Sequence, residues 1–159
     1  MRRAAPIIAL LIALAACAPA DARRTAPAQV SAQHPISGLK VVPLTVTHGK
    51  TAHHFRVEVA KTEAEQEKGL MFRKAMGENE GMIFPMTPPR FAAFWMRNTV
   101  LPLDIIFIGA NHRVLNVAAN AVPYSDTPLP SAGAAAAVLE LNGGRAAALG
   151  IGRGDLVKW

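Results

Sequence analysis

Two carboxylates stand where their neighbours would be core. Asp104 follows Leu103 at the mouth of the apolar run 103–108, and Glu140 lies between Leu139 and Leu141, on the same strand face as Val138. A carboxyl in such surroundings must be hydrogen-bonded, paired or protonated. Arg73, straight after Gly69-Leu70-Met71-Phe72, is the natural cation to meet one, and Asn98-Thr99 between two apolar runs suit a backbone turn. With Trp95 as a wall, Arg73, Asn98, Thr99, Asp104 and Glu140 around one pocket would suit a sugar or another small polar ligand. Two carboxyls about 5–9 Å apart could also perform acid–base hydrolysis of a glycoside. A scaffold reading stands beside these. In it Arg73 pairs with Asp104, Asn98 and Thr99 close a turn, and Glu140 caps a backbone group or pairs with Arg97.

Other chemistries have thinner support. His48, His53 and His54 could bind a divalent ion, but adjacent strand residues such as His53 and His54 point to opposite faces. Met71, Met76, Met82, Met86 and Met96 could suggest copper(I), yet they fall in apolar motifs where Met serves as core filler. No metal or cofactor is therefore expected. The single Cys excludes an internal disulfide framework, a CxxC redox pair and a Cys-rich zinc site. There is no Gly-x-Ser-x-Gly elbow, and Ser125 and Ser131 sit in a Pro-rich stretch without a placed His.

The elements that must position these residues are short. Leu44–Thr47 and the alternating Phe55–Val59, separated by His48-Gly49-Lys50, predict a hairpin. Thr62 and Glu65 form a capping box for a helix that Gly69 ends. Glu63, Glu65 and Glu67 suit its positive end and read as a solvated face rather than an acidic site. Gly81–Phe84 predicts a strand closed by Pro85, and 91–96 is apolar and aromatic. Leu103–Ile108 predicts a central strand buried on both faces. Arg113–Val122 and Ala134–Leu141 predict further strands. A helix over Arg145–Leu149, capped by Asn142 and ended by Gly150, and a last strand over Leu156–Trp159 complete the chain. The expected fold is α+β and mostly antiparallel, a barrel-like sheet of six to seven strands with two short helices.

The pieces GLMFR at 69–73, GMIF at 81–84, FWMRNT at 94–99, PLDIIFI at 102–108, LELNGG at 139–144 and GD at 154–155 occur in this order. Together they resemble the bacterial and archaeal domain of unknown function 192 family, over roughly residues 53–159. The resemblance implies a compact α+β domain, often exported, and no assigned activity, so whether the chain is an enzyme stays open. Carried over, the signature positions are Arg73, Met82, Trp95, Met96, Asn98, Thr99, Asp104, Glu140 and Gly144. The family commonly reads LELNAG, and Gly143 here replaces the Ala.

The N-terminus carries an address. Arg2 and Arg3 precede a short apolar run over 7–14, of signal-peptide length and too short to span a membrane. Leu14-Ala15-Ala16-Cys17 then resembles a bacterial lipobox, in which the Cys is acylated and the preceding residues are removed. An ordinary signal peptide cut near Ala16 or Ala20 is the alternative, and a twin-arginine signal rests on Arg2-Arg3 alone. Ala18, where an inner-membrane retention signal would place Asp, favours the outer membrane. The expected organisation is a signal peptide over 1–16, lipid attachment and a Pro/Ala-rich linker over 17–38, and one domain over 39–159. The 17 basic and 11 acidic residues give a net charge of +6, which falls to +4 once Arg2 and Arg3 are removed. That suits mild attraction to an anionic surface, and with no basic stripe bearing interleaved aromatics it argues against a nucleic-acid partner. Expressed in its host, the mature protein should carry acyl groups on Cys17 and fractionate with membranes, and Cys17→Ser should release the domain or block its processing. A soluble, unacylated mature protein with another N-terminus would refute the anchor.

Overall fold

The computed structural model describes residues 33–159. The predicted signal peptide, Cys17 and most of the linker lie outside the described residues. Strands β1 (Val41–His48) and β2 (Thr51–Val59) form the expected hairpin, with Leu44 opposite Phe55. Gly49, at φ 57°, supplies the left-handed residue of the turn. Helix α1 (Glu63–Lys68) carries the expected capping box. Thr62 Oγ1 accepts from the Glu65 N–H at 3.3 Å, and Glu65 Oε2 accepts the N–H of Thr62 at 2.8 Å and of Lys61 at 2.7 Å. These backbone donors, Thr62 first, hold the Glu65 carboxyl below its ordinary pKa.

Strand β3 (Glu80–Arg90) is longer than the sequence suggests. It runs through Pro85, and its ladder with the later strand β8 shifts register between Pro85 and Arg90, where prolines cannot donate. The aromatic run 91–96 forms only the two-residue β4 (Ala93–Phe94), which pairs with the unforeseen β7 (Leu129–Pro130) in a small second sheet. Strands β5 (Leu103–Gly109), β6 (Val114–Ala121), β8 (Ala135–Asn142) and β9 (Leu156–Lys158), with helix α2 (Arg145–Leu149), complete the chain.

The main sheet has seven strands in the order β6-β5-β8-β3-β2-β1-β9. It is mixed, because β2 and β3 run parallel while the other neighbours are antiparallel. The expected barrel-like closure is not met. The edge strands approach at a single Arg113–Leu156 bridge, not along a ladder, so the sheet curls without closing into a barrel.

Each face of the sheet carries its own core. Leu44, Val57, Ile106, Ile108, Leu139 and Leu141 pack on one face, with Ala146 of α2. Met82, Phe84, Leu103, Ile105, Phe107 and Val138 pack on the other, with Leu70 and Met96. β5 is buried along its whole length, as its apolar run predicts. Gly81 allows β3 and β8 to approach, since a Cβ there would lie 2.4 Å from the Glu140 carbonyl oxygen.

Residues 33–38, within the stretch whose composition reads as linker, form a turn on the domain. The His34 N–H donates to the Leu39 carbonyl at 2.7 Å, and the Gly38 N–H donates to the His34 carbonyl at 2.8 Å. The capping box gives a direct test: Thr62→Ala should cost about 1 kcal/mol in urea unfolding, the usual value for a lost N-cap.

Candidate functional site

Strand parity decides which polar residues can meet. Glu140 alternates with Leu139 and Leu141 of the first core, so its side chain lies on the second face, beside Val138 as the sequence implies. Asp104 shares its face with Ile106 and Ile108, on the first core. The two carboxyls therefore lie on opposite faces of one sheet. They share no cleft, and hydrolysis by an Asp104–Glu140 pair is ruled out.

Glu140 opens into a cleft of about 560 Å³. The end of α1 and the turn Gly69-Leu70-Met71 form one wall, and Phe91 to Trp95 form the other. Phe84, packed edge to face with Phe94 at 5.2 Å, lies between them. The Glu140 residue is 5% exposed, and its carboxyl has no hydrogen-bond or ionic partner among the described residues. Burial alone pushes it up to about 8, so at neutral pH it is mostly protonated.

Of the other expected site residues, Trp95 and Thr99 line the same cleft. Trp95 is 48% exposed and so is not core. Arg97, missed as a wall residue, lies 4.4 Å over the Trp95 ring and bonds Asp126 at 2.8 Å, not Glu140. Asn98 sits just outside, at φ 55° in a turn closed by the Thr99 N–H on the Met96 carbonyl at 3.0 Å. Its own carbonyl accepts the Phe72 N–H at 2.8 Å, and Phe72 is itself left-handed at φ 61°. Two strained residues thus brace each other beside the cleft, the kind of strain that clusters at binding sites.

Arg73 does not join this group. The Arg73–Asp104 pair of the scaffold reading is absent, and Arg73 forks onto Glu58 of β2 at 2.9 and 3.0 Å, with both side chains buried. Ser37 Oγ donates to the same carboxylate and His34 Nδ1 lies 3.6 Å from it. Glu58 sits in an alternating strand on the side that parity assigns to solvent. The turn over 33–38 covers it, and no local pattern announces that.

Asp104 is fully buried and held by backbone. Oδ1 accepts from the N–H of Asn120 at 2.8 Å and of Gly144 at 3.0 Å, and Oδ2 accepts from Ala146 at 2.7 Å. It caps α2 from a distant strand. The expected cap, Asn142, instead donates to the carbonyls of Met76 and Gly77 at 3.1 and 3.0 Å. Met82, Met86 and Met96 are buried core, and among the described residues no group of three His, Cys, Asp or Glu could hold a metal ion.

Residues 44–159 match the model of the domain of unknown function 192, described as Uncharacterized ACR. The chain belongs to this family. A protein of unknown function from Novosphingobium aromaticivorans DSM 12444, of solved structure, is 63% identical to this chain, with a TM-score of 0.79 over 80% of this chain and 91% of its own. A protein from Sinorhizobium meliloti 1021, provisionally described as a transcription regulator, is 34% identical, with a TM-score of 0.74 over 76% and 94%. Comparison with curated proteins gives no match. The family's LELNAG pattern meets a local change here. A Cβ on Gly143 would lie 2.9 Å from Asn120 Oδ1 and 3.0 Å from Pro102 Cβ, so Asn120 occupies the space an Ala would need.

The two carboxyls should respond oppositely to amidation. Asp104→Asn turns an NH₂ toward backbone donors and should cost about 3 kcal/mol. For Glu140, the folded state holds its proton up to about pH 8 while the unfolded chain releases it near 4.5, so stability falls as pH rises between these values. Glu140→Gln should remove that slope and stabilise by about 2–3 kcal/mol at pH 7, with the two proteins converging near pH 4.5. Urea unfolding across this range is the measurement. A loss of stability in Glu140→Gln would show that the carboxyl has a structural partner.

Proposed function

We propose that this chain is an exported, lipid-anchored protein of the cell envelope, facing the periplasm from the outer membrane, whose domain binds a small polar ligand or glycan unit. The observation that carries the binding reading is Glu140, a buried carboxyl that has no partner among the described residues and opens into a cleft. Leaving such a group unmatched costs stability. A binding site accounts for its presence where a packing role does not. The cleft volume of about 560 Å³ lies in the usual range for small-molecule sites. Half-exposed Trp95 offers the aromatic wall a sugar ring uses, although Arg97 already covers part of it.

Support for the address comes from Arg2-Arg3, the apolar run and Leu14-Ala15-Ala16-Cys17. The 15 residues between Cys17 and Gln33 could span about 50 Å when extended, enough to hold the domain clear of a lipid headgroup layer. The Sinorhizobium relative's description raises a nucleic-acid reading for this chain. Residues 33–159 carry 13 basic and 10 acidic side chains, a near balance that lends it no weight.

The test is an NMR-observed screen of small polar compounds and short glycans against the mature protein. Ligands should shift the Trp95 indole N–H and leave that of Trp159, which packs on His112 away from the cleft, unchanged. Compounds that bind only elsewhere, or a screen without a Trp95 response, would overturn the reading.

A further inference from the structure

Resting on the binding reading above, we propose that the Glu140 cleft receives an organic ammonium group, seated on the Glu140 carboxylate against the rings of Phe84 and Phe94. The charges around the cleft are the first support. Glu63, Glu67 and Lys68 from the α1 wall, Arg90 from the end of β3 and Arg97 beside Trp95 all reach it, and all are exposed to solvent. Arg97 is engaged by Asp126 and Trp95. The remaining rim charges, two acidic and two basic, balance and are screened by water. Among the described residues the only ionisable group at depth is Glu140, and no cation pairs with it.

The second support is the lining. Phe84 is buried and Phe94 half-buried, packed edge to face, and both rings line the cleft into which Glu140 opens. Ring faces attract cations and repel anions. An aromatic lining with one nearly buried carboxyl is therefore matched to a cation, which gains a charge-assisted bond that bulk water screens less than one on the rim. A neutral amide or hydroxyl would gain an ordinary hydrogen bond and leave the carboxyl protonated. The free protein holds that proton well above the usual carboxylate range, so binding an ammonium ion expels it. The balanced step is Glu140–COOH plus R–NH₃⁺ giving the Glu140–COO⁻ · R–NH₃⁺ pair plus one proton released to solvent. The ammonium can come from a free alkylamine or from a lysine side chain in a peptide.

The experiment titrates the mature protein with n-butylammonium, Nα-acetyl-lysine amide and the neutral isostere butyramide, read by the Trp95 indole resonance and by calorimetry in two buffers of different ionisation enthalpy. Both ammonium probes should bind more tightly than butyramide, with uptake of about one proton by the buffer. Their affinity should rise about tenfold per pH unit between pH 6 and 7, the slope for one linked proton. Glu140→Gln should lower ammonium affinity at least about tenfold at pH 7.5 and abolish the slope. Glu67→Gln on the rim should change it less than about twofold. Tighter binding of the lysine derivative would assign the source to a peptide, and tighter binding of butylammonium to a free amine. If butyramide binds as well, or if ammonium binding ignores pH and Glu140→Gln, the ammonium assignment falls while the ligand-binding reading stands. If no probe or screened compound moves the Trp95 resonance, both fall.

Discussion

One carboxylate organises the central sheet. Asp104 takes backbone N–H groups from Asn120 on β6, from Gly144 in the turn after β8 and from Ala146 in the first turn of α2. A five-residue helix that starts from a left-handed glycine with no side-chain cap would not persist alone. Asp104 supplies the missing acceptor and fixes the end of β8 against β5. Next to Leu141, the residue of β8 that faces Asp104, and on the opposite face of the sheet, is Glu140. The rigidity that keeps an unmatched carboxyl aimed into a cleft therefore depends on a matched one behind it.

The two carboxylates divide the labour of the sheet. The first-core face closes over aliphatic side chains and uses its acid to hold backbone. The second-core face is left open between α1 and β4, and its acid remains unspent. Loop strain gathers near the open side. Phe72, Asn98 and Tyr124 all have positive φ, and backbone bonds connect Phe72 to Asn98 and Tyr124 to Thr99. Phe72 and Tyr124 are exposed, so their conformations are set by these backbone bonds and not by burial of their rings.

Much of the frame was legible in the sequence for local reasons. The hairpin, the capping box around Thr62 and Glu65, and the doubly buried β5 each announce themselves within a few residues. The placement of Glu140 beside Val138 followed from strand parity alone. What could not be read depended on distant chain. A strand buried on both faces has no apolar side to orient it, so Asp104 could not be assigned to either core. Arg73 found Glu58 because residues 33–38 cover that carboxylate, and composition made those residues look like tether. The long β3 and the β4–β7 pair arise from tertiary pairing that their proline-bearing sequences do not advertise.

The clamp of Arg73, Glu58, Ser37 and His34 has a mechanical consequence. A protein held by its N-terminus feels every pull of its surroundings at the point where tether becomes domain. Were this chain held as proposed above, that point would be the turn over 33–38, not the edge of β1. Tension entering at Gln33 would meet the Gln33–Lys40 bridge and the His34 N–H on the Leu39 carbonyl first, and then the Ser37 hydroxyl on the Glu58 carboxylate, which two parallel bonds from Arg73 hold from the other side. Load passes through Glu58 into β2, an interior strand of the sheet with ladders on both sides. The turn over 33–38 thus stands between an N-terminal pull and the β1–β2 hairpin, and its contacts would have to give before that hairpin is loaded through β1 alone.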